Sequence, residues 1–324
     1  MSVANELVVS SFSDPPRWLA HAVFALLPAD TRLRCVEVNR AWRVLLADTS
    51  LFACLDLSPP ALQRFSEALF RAAVAKSGGQ LRSLVVTDVS WTYEHFCLTP
   101  LVLEAVGANA ATLTELRIVD TEESFEHDYL HELLETAPKL QLLEASALEI
   151  DDNVPLKSAR AILRNEPPYQ ALRLRRFIGH GLARAYFLDF CLDLRCHASI
   201  AELQLYSVPL GTDVAMGAIV DACIALHLRV LSIYFDGREF APATLSELAR
   251  LVFAGYLREL EVNAGNYYLF EEDEELTQLF VAAVNASAMT RLQLWETGDW
   301  PMAVVEAMVF INARGHELRH STLF

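Results

Sequence analysis

The chain has 324 residues, 53% of them hydrophobic and 21% charged, which is more apolar material than a disordered chain carries and more length than one ordinary domain usually holds. Against 26 basic residues stand 42 acidic ones, a formal net charge of −16. A surface of that sign repels phosphate backbones and anionic bilayers, so nucleic acid and membranes are excluded as expected partners. Residues Met1 to Leu7 place no basic residue ahead of their short apolar stretch, so no signal peptide is expected. No apolar run approaches the ~18–20 residues that span a bilayer. Six cysteines (Cys35, Cys54, Cys97, Cys191, Cys196 and Cys223) form no C-x-x-C pair. They read as reduced core thiols of a cytoplasmic or nuclear protein.

The negative charge is uneven. Residues 1–13 read as a tail. From Asp14 to Asp56 five arginines balance five acids, and nearly all the excess acid lies beyond Asp56. Within residues 14–51 the apolar spacing predicts short amphipathic helices. Leu19, Val23, Phe24 and Leu27 form one stripe, Pro28-Ala29-Asp30 breaks it, and Leu33, Val36, Val38, Trp42, Leu45 and Leu46 form the next. About forty residues bury too little surface to stand alone, so this segment must pack on the rest of the chain, on a partner, or on both.

Its spaced pattern resembles the F-box. The matching residues are Val23-Phe24 before Leu27-Pro28, then Asp30 and Leu33, the run from Val38 to Arg43 with Trp42 inside it, and the closing Asp48-x-x-Leu51-Phe52. The opening departs from the family, with Pro15-Pro16-Arg17-Trp18 where Leu-Pro and an acid are usual, and Phe52 stands where the family closes on tryptophan. The resemblance implies that Leu19, Val23, Phe24, Leu27, Pro28, Leu33, Val36, Val38 and Trp42 contact a Skp-type adaptor of a cullin–RING ubiquitin ligase. Internal packing is the other role open to each of them.

From Phe52 onward the chain repeats. The pattern L-x-x-L-x-L, with other apolar residues allowed, starts at Leu81, Leu113, Leu140, Tyr169, Ile200, Leu228, Leu257 and Met289. Worn copies, Phe52-Leu55-Leu57 and Leu318-Ser321-Leu323, extend the array to ten units. Between the copies lie helical stripes, with starts marked by Asp128, Thr244 and Pro301 and ends by Gly78, Gly255 and Gly315. One strand and one helix cannot bury their own apolar faces, whereas stacked units close a continuous core. Residues 52–324 resemble long-repeat, ribonuclease-inhibitor-like leucine-rich-repeat proteins. The resemblance implies an α/β horseshoe solenoid, parallel strands inside and helices outside, preceded by the small all-α F-box. It departs from the family in lacking the Asn or Cys that usually follows the strand. An ordinary parallel α/β sheet is the alternative, and it would not keep so constant a period.

Side chains alternate along a strand, so the residues between the leucines share the other face of the sheet. Arg117, Arg173, Arg175, Tyr206, Tyr234, Arg291 and Trp295 are the expected contacts for a target protein, with the aromatics as anchors. Two loops stand out, the aromatic insert Trp91–Phe96 and Asn266–Phe270, the latter running into the acids 271–275, which favour the N-terminus of the helix that follows or, as the alternative, meet a basic target.

No phosphate-binding loop and no nucleophile elbow occurs, so no catalytic residue, metal or cofactor is expected and the chain is not expected to be an enzyme. His316-Glu317-Leu318-Arg319-His320 matches H-E-x-x-H, but the worn repeat predicts a strand there, on which histidines four apart cannot share a metal. The expected function is substrate recognition within an SCF-type ligase, the F-box holding the adaptor and the repeats the target. A repeat scaffold whose helical segment only caps the solenoid is the alternative.

Overall fold

A computed structural model describes residues 17–27, 29–38, 40–57, 67–87, 98–119, 125–151, 153–181, 186–197, 199–208, 212–235, 243–263, 274–295 and 301–321. The protein is α/β, with strands and helices alternating along the chain, and its contacts divide it into two units.

The first unit comprises residues 1–123 and 128–146. It opens with α1 (Arg17–Ala25), α2 (Ala29–Val38) and α3 (Arg40–Leu45), followed by a 3-10 turn at Thr49–Phe52. Then come β1 (Cys54–Asp56), α4 (Glu67–Lys76), β2 (Ser83–Thr87), α5 (Leu98–Ala108) and β3 (Glu115–Val119). The short β4 (Phe125–Glu126) lies in the second unit; nearly all of α6 (His127–Thr136) and the first half of β5 (Leu142–Ile150) complete the first. The strands pair in parallel, and their register copies the sequence period: Leu55, Leu84, Leu116 and Leu143 lie side by side, all buried. Each such leucine contributes about 2 kcal/mol by leaving water. Between α5 and β2, buried Asn109 satisfies the backbone. Its amide donates to the Ala105 carbonyl at 2.8 Å, while its oxygen accepts from the Leu81 N–H at 3.0 Å and the Ser77 hydroxyl at 3.1 Å.

The second unit comprises residues 124–127 and 147–324. After the second half of β5, which β4 pairs in parallel, it runs α7 (Leu156–Leu163), β6 (Leu172–His180), α8 (Phe187–Leu194) and β7 (Glu202–Val208). It continues with α9 (Asp213–Ala225), β8 (Val230–Phe235), α10 (Thr244–Phe253), β9 (Glu259–Asn263), α11 (Glu274–Ala286), β10 (Arg291–Trp295) and α12 (Met302–Ser321). Strands β6 to β10 pair in parallel in sequence order. One buried row is Phe177, Leu203, Leu231, Leu260 and Leu292, and the next is Gly179, Leu205, Ile233, Val262 and Leu294. Buried Asp193 ties α8 to α7, taking Arg160 Nε at 2.8 Å and Arg164 Nη2 at 2.6 Å. Among the described residues no helix is long and apolar enough to cross a membrane.

Four expectations are corrected. The copy at Tyr169-Leu172-Leu174 is buried, but β7 aligns instead with Phe177 and Gly179, because the in–out alternation slips by one residue at Arg175-Arg176. The copy at Leu318 is no strand: α12 runs unbroken through Ser321. Gly315, expected to end that helix, lies inside it, where a Cβ would overlap the Thr290 carbonyl; the glycine allows helix and strand end to touch. Cys54, expected in the core, is exposed because its neighbour Leu55 takes the inward position of β1. By contrast Gly255 ends α10 as expected, with φ +80°.

Candidate protein-binding surfaces

Helices α1 to α3 dock on the start of the first unit through Arg32. Its guanidinium donates to the Leu51 carbonyl and, at 3.4 Å, to the Cys54 carbonyl, and stacks 5.2 Å from the centre of the Phe52 ring. Leu46, Leu51 and Phe52 close the core beneath it. The nine expected adaptor contacts separate into groups. Phe24 is buried and meets Trp42 edge to face, so both serve the segment's own packing. Leu27, Leu33 and Val36 are half-buried, and Pro28 lies outside the described residues. Leu19, Val23 and Val38 are exposed. Two further apolar side chains join them: Leu26, 85% exposed, and Val44. Both belong to the helical pattern already, and their spacing from Val23 and Arg40 is the signal that could have found them.

On the first unit's sheet face, Arg117 bonds Glu115 at 2.5 Å and lies 3.5 Å from Glu144 on the next strand. On the second unit's, three rows cross the strands in register. The first is Arg176, Glu202, Val230, Glu259 and Arg291; the second is Ile178, Gln204, Ser232, Glu261 and Gln293. The third is His180, Tyr206, Tyr234, Asn263 and Trp295. The first row and part of the second line an open, polar depression.

The arginines of this face are already engaged. Arg175 and Arg176 both reach Glu202, at 3.1 and 2.8 Å, and Arg291 lies 3.5 Å from Glu259 and 2.7 Å from the Gln293 oxygen. Arg173 donates to the carbonyl of Leu172 beside it and stands outside the in-register rows. Arg176, Ile178 and His180 were hidden from sequence reading by the slip in β6.

The third row forms a ladder of rings. His180 stacks on Tyr206 with centroids 4.6 Å apart, and Tyr206 on Tyr234 at 4.3 Å. His180 is also 3.2 Å from Glu149. Burial, and a hydrogen bond donated to Glu261, push the Tyr234 phenol well above its ordinary range. Glu261 also lies 3.4 Å from the Ser232 hydroxyl. Trp295 is 54% exposed.

The two buried thiols are unreactive. Burial pushes the Cys191 thiol up to about 12 and raises that of Cys223 too, so neither is a nucleophile at neutral pH. H-E-x-x-H lies on α12, a helix rather than the expected strand, and its side chains lie outside the described residues. Among the described residues no group of three or more His, Cys, Asp or Glu is placed to hold a metal. The aromatic inserts at residues 91–96 and 266–270, the tail 1–13 and Cys97 also lie outside them. No protein-family model matches this chain, and no curated protein matches it.

Proposed function

We propose that this protein is the substrate-recognition subunit of an SCF-type cullin–RING ubiquitin ligase, non-catalytic itself, acting in the cytoplasm or nucleus. Its helical segment would bind the Skp-type adaptor and its repeats, read as a leucine-rich-repeat horseshoe, would capture the target. The observation that carries this reading is the exposed apolar set Leu19, Val23, Leu26, Val38 and Val44 on helices already anchored through Arg32. Anchoring satisfies what a cap needs; five exposed aliphatic side chains in so short a segment exceed it and support the adaptor-binding reading. Holding a target beside a ubiquitin-loaded enzyme accelerates transfer through effective concentration alone.

The second reading, a scaffold outside the ubiquitin system whose helices only cap the repeats, draws on the contacts of Arg32 with Leu51, Cys54 and Phe52. A pull-down of the full chain with purified Skp-type adaptor separates the two. The receptor captures the adaptor at 1:1 stoichiometry. No capture at micromolar adaptor leaves only the scaffold.

A further inference from the structure

Among the described residues, the aromatic ladder on the second unit's sheet face has a gap. His180, Tyr206 and Tyr234 occupy consecutive strands and stack, the next strand offers the short Asn263, and the strand after it offers Trp295. Rings 4.3 and 4.6 Å apart on strands about 4.8 Å apart have their planes turned across the sheet. The outer face of Tyr234 is thus turned toward the Asn263 strand. Tyr234 and Trp295 are separated by two strand spacings, about 9.6 Å, which among the described residues leaves room for one planar group stacked between them.

Beside the gap stands a carboxylate. Glu261 precedes Asn263 by two residues on the same face of β9 and takes the Tyr234 phenol and the Ser232 hydroxyl as partners. Among the described residues it has no ion pair, whereas Glu202 and Glu259 beside it are matched by Arg175, Arg176 and Arg291.

We propose that this gap holds the side chain of an arginine presented by a partner protein, its guanidinium stacked between Tyr234 and Trp295 over Asn263 and hydrogen-bonded to Glu261. The proposal rests on reading this sheet face as the target-capture surface. Arginine is the occupant that satisfies both halves of the site. Its guanidinium is planar, stacks on aromatic faces, is weakly hydrated and forms paired hydrogen bonds with a carboxylate. A phenyl ring would stack but strip water from Glu261 without replacing it. A lysine would meet the charge but is a compact, strongly hydrated point donor that fills no planar gap. The net charge of −16 draws a cationic segment toward this protein rather than an acidic one. Of the arginines that sequence reading offered as target contacts, Arg117, Arg175 and Arg291 are already paired with acids of their own face.

The test titrates the full-length, nitrogen-15-labelled chain with the tripeptide Ac-Gly-Arg-Gly-NH2 and follows the Trp295 indole N–H, assigned by its absence in Trp295→Phe. The same peptide with citrulline, lysine or phenylalanine in the centre supplies the comparison. The arginine peptide is expected to shift that signal saturably, with the lysine and citrulline peptides at least about tenfold weaker. Glu261→Gln is expected to weaken arginine binding about tenfold. Asn263→Tyr, which fills the missing rung, is expected to abolish it while the chain stays folded by circular dichroism. No saturation by about 20 mM, an equal response to phenylalanine, or full binding by Asn263→Tyr overturns the proposal. Adaptor capture is measured on the same preparation. Arginine binding without adaptor capture removes the ligase reading and leaves the gap as a cation site. Adaptor capture without arginine binding removes the gap's role alone.

Discussion

Phe24 and Trp42 meet edge to face, ring centroids 5.3 Å apart and planes at 79°, inside the helical segment that resembles an F-box. Phe24 is only 4% exposed, so this pair holds α1 against α3 before any partner arrives. Trp42→Ala is therefore expected to destabilise the segment by about 2 kcal/mol, the half-buried share of a large-to-small change. Loss of adaptor capture in that variant would report unfolding as much as lost contact. Val38→Asp and Leu26→Asp, on exposed side chains, separate the two effects. Each is expected to leave the melting curve nearly unchanged and to eliminate capture in the pull-down. Retained capture in both would sink the surface assignment.

Gly315 is expected to resist substitution although it sits inside a helix. Alanine is the better helix former by about 1 kcal/mol, so helix propensity alone predicts a gain. Against this, a Cβ at Gly315 would overlap the Thr290 carbonyl, which can yield only if α12 lifts away from β10. Gly315→Ala should lose about 2–3 kcal/mol in urea unfolding. An increase in stability would mean that this helix is not seated on the strand as described.

The fold was legible where one residue type dominates a position. Leu203, Leu231, Leu260 and Leu292 recur at near-even spacing because each fills the same inward position of a parallel strand, and the structure aligns them. In β6 two candidate registers coexist. Leu172-x-Leu174 and Phe177-x-Gly179 are both inward, and only contact with β7 decides which one continues the row. The consequence reached the candidate site: Arg173 and Arg175 were legible on their face, while Arg176 and His180 needed the pairing. At the end of the chain, Leu318 to Leu323 satisfied the strand template over too few residues to outweigh a helix already propagating from Met302. The cross-strand pairs Arg175–Glu202 and Arg291–Glu259 were invisible, because each joins residues some thirty positions apart on neighbouring strands.

His316 and His320 sit one helical turn apart on α12, the spacing that zinc peptidases use. Such a site still needs a third protein ligand, and among the described residues no group of three or more His, Cys, Asp or Glu is placed to hold a metal. Metal analysis of the purified chain is expected to find less than about 0.1 zinc per molecule. Stoichiometric zinc, removed by a chelator with loss of a hydrolytic activity, would reverse this reading.

Asp193 is 2% exposed and is held between Arg160 and Arg164. Asp193→Ala would leave the two guanidiniums facing each other over an empty buried position. The expected cost is about 2 kcal/mol, since the buried contacts are lost while Arg160 keeps Asp189 at 3.4 Å and Arg164 keeps Glu166 at 3.8 Å. Asp193→Leu, which refills the volume but not the charge, should recover only part of it in the same denaturation measurement. Recovery to wild-type stability would assign Asp193 to packing alone.

His197 makes folding depend on pH. The ring is fully buried, with Nδ1 3.1 Å from the Ser199 hydroxyl and Nε2 without a partner among the described residues. Burial, together with Arg173, pushes its pKa down to about 4 from 6.5 against the opposing backbone hydrogen bond. The unfolded chain thus takes up a proton near pH 6.5 that the folded chain refuses until about pH 4. Stability from this group is complete above pH 6.5 and is lost as pH falls across that window, on the order of 2–3 kcal/mol by pH 4.5. Carboxylates titrate in the same range, so the reading lies in a difference. Unfolding free energies of wild type and His197→Gln are measured at pH 7 and pH 4.5. The wild type should lose about 2–3 kcal/mol more than the variant, whose amide carries no proton to gain. Parallel losses in the two proteins would show that His197 is protonated at its ordinary pKa in the folded chain.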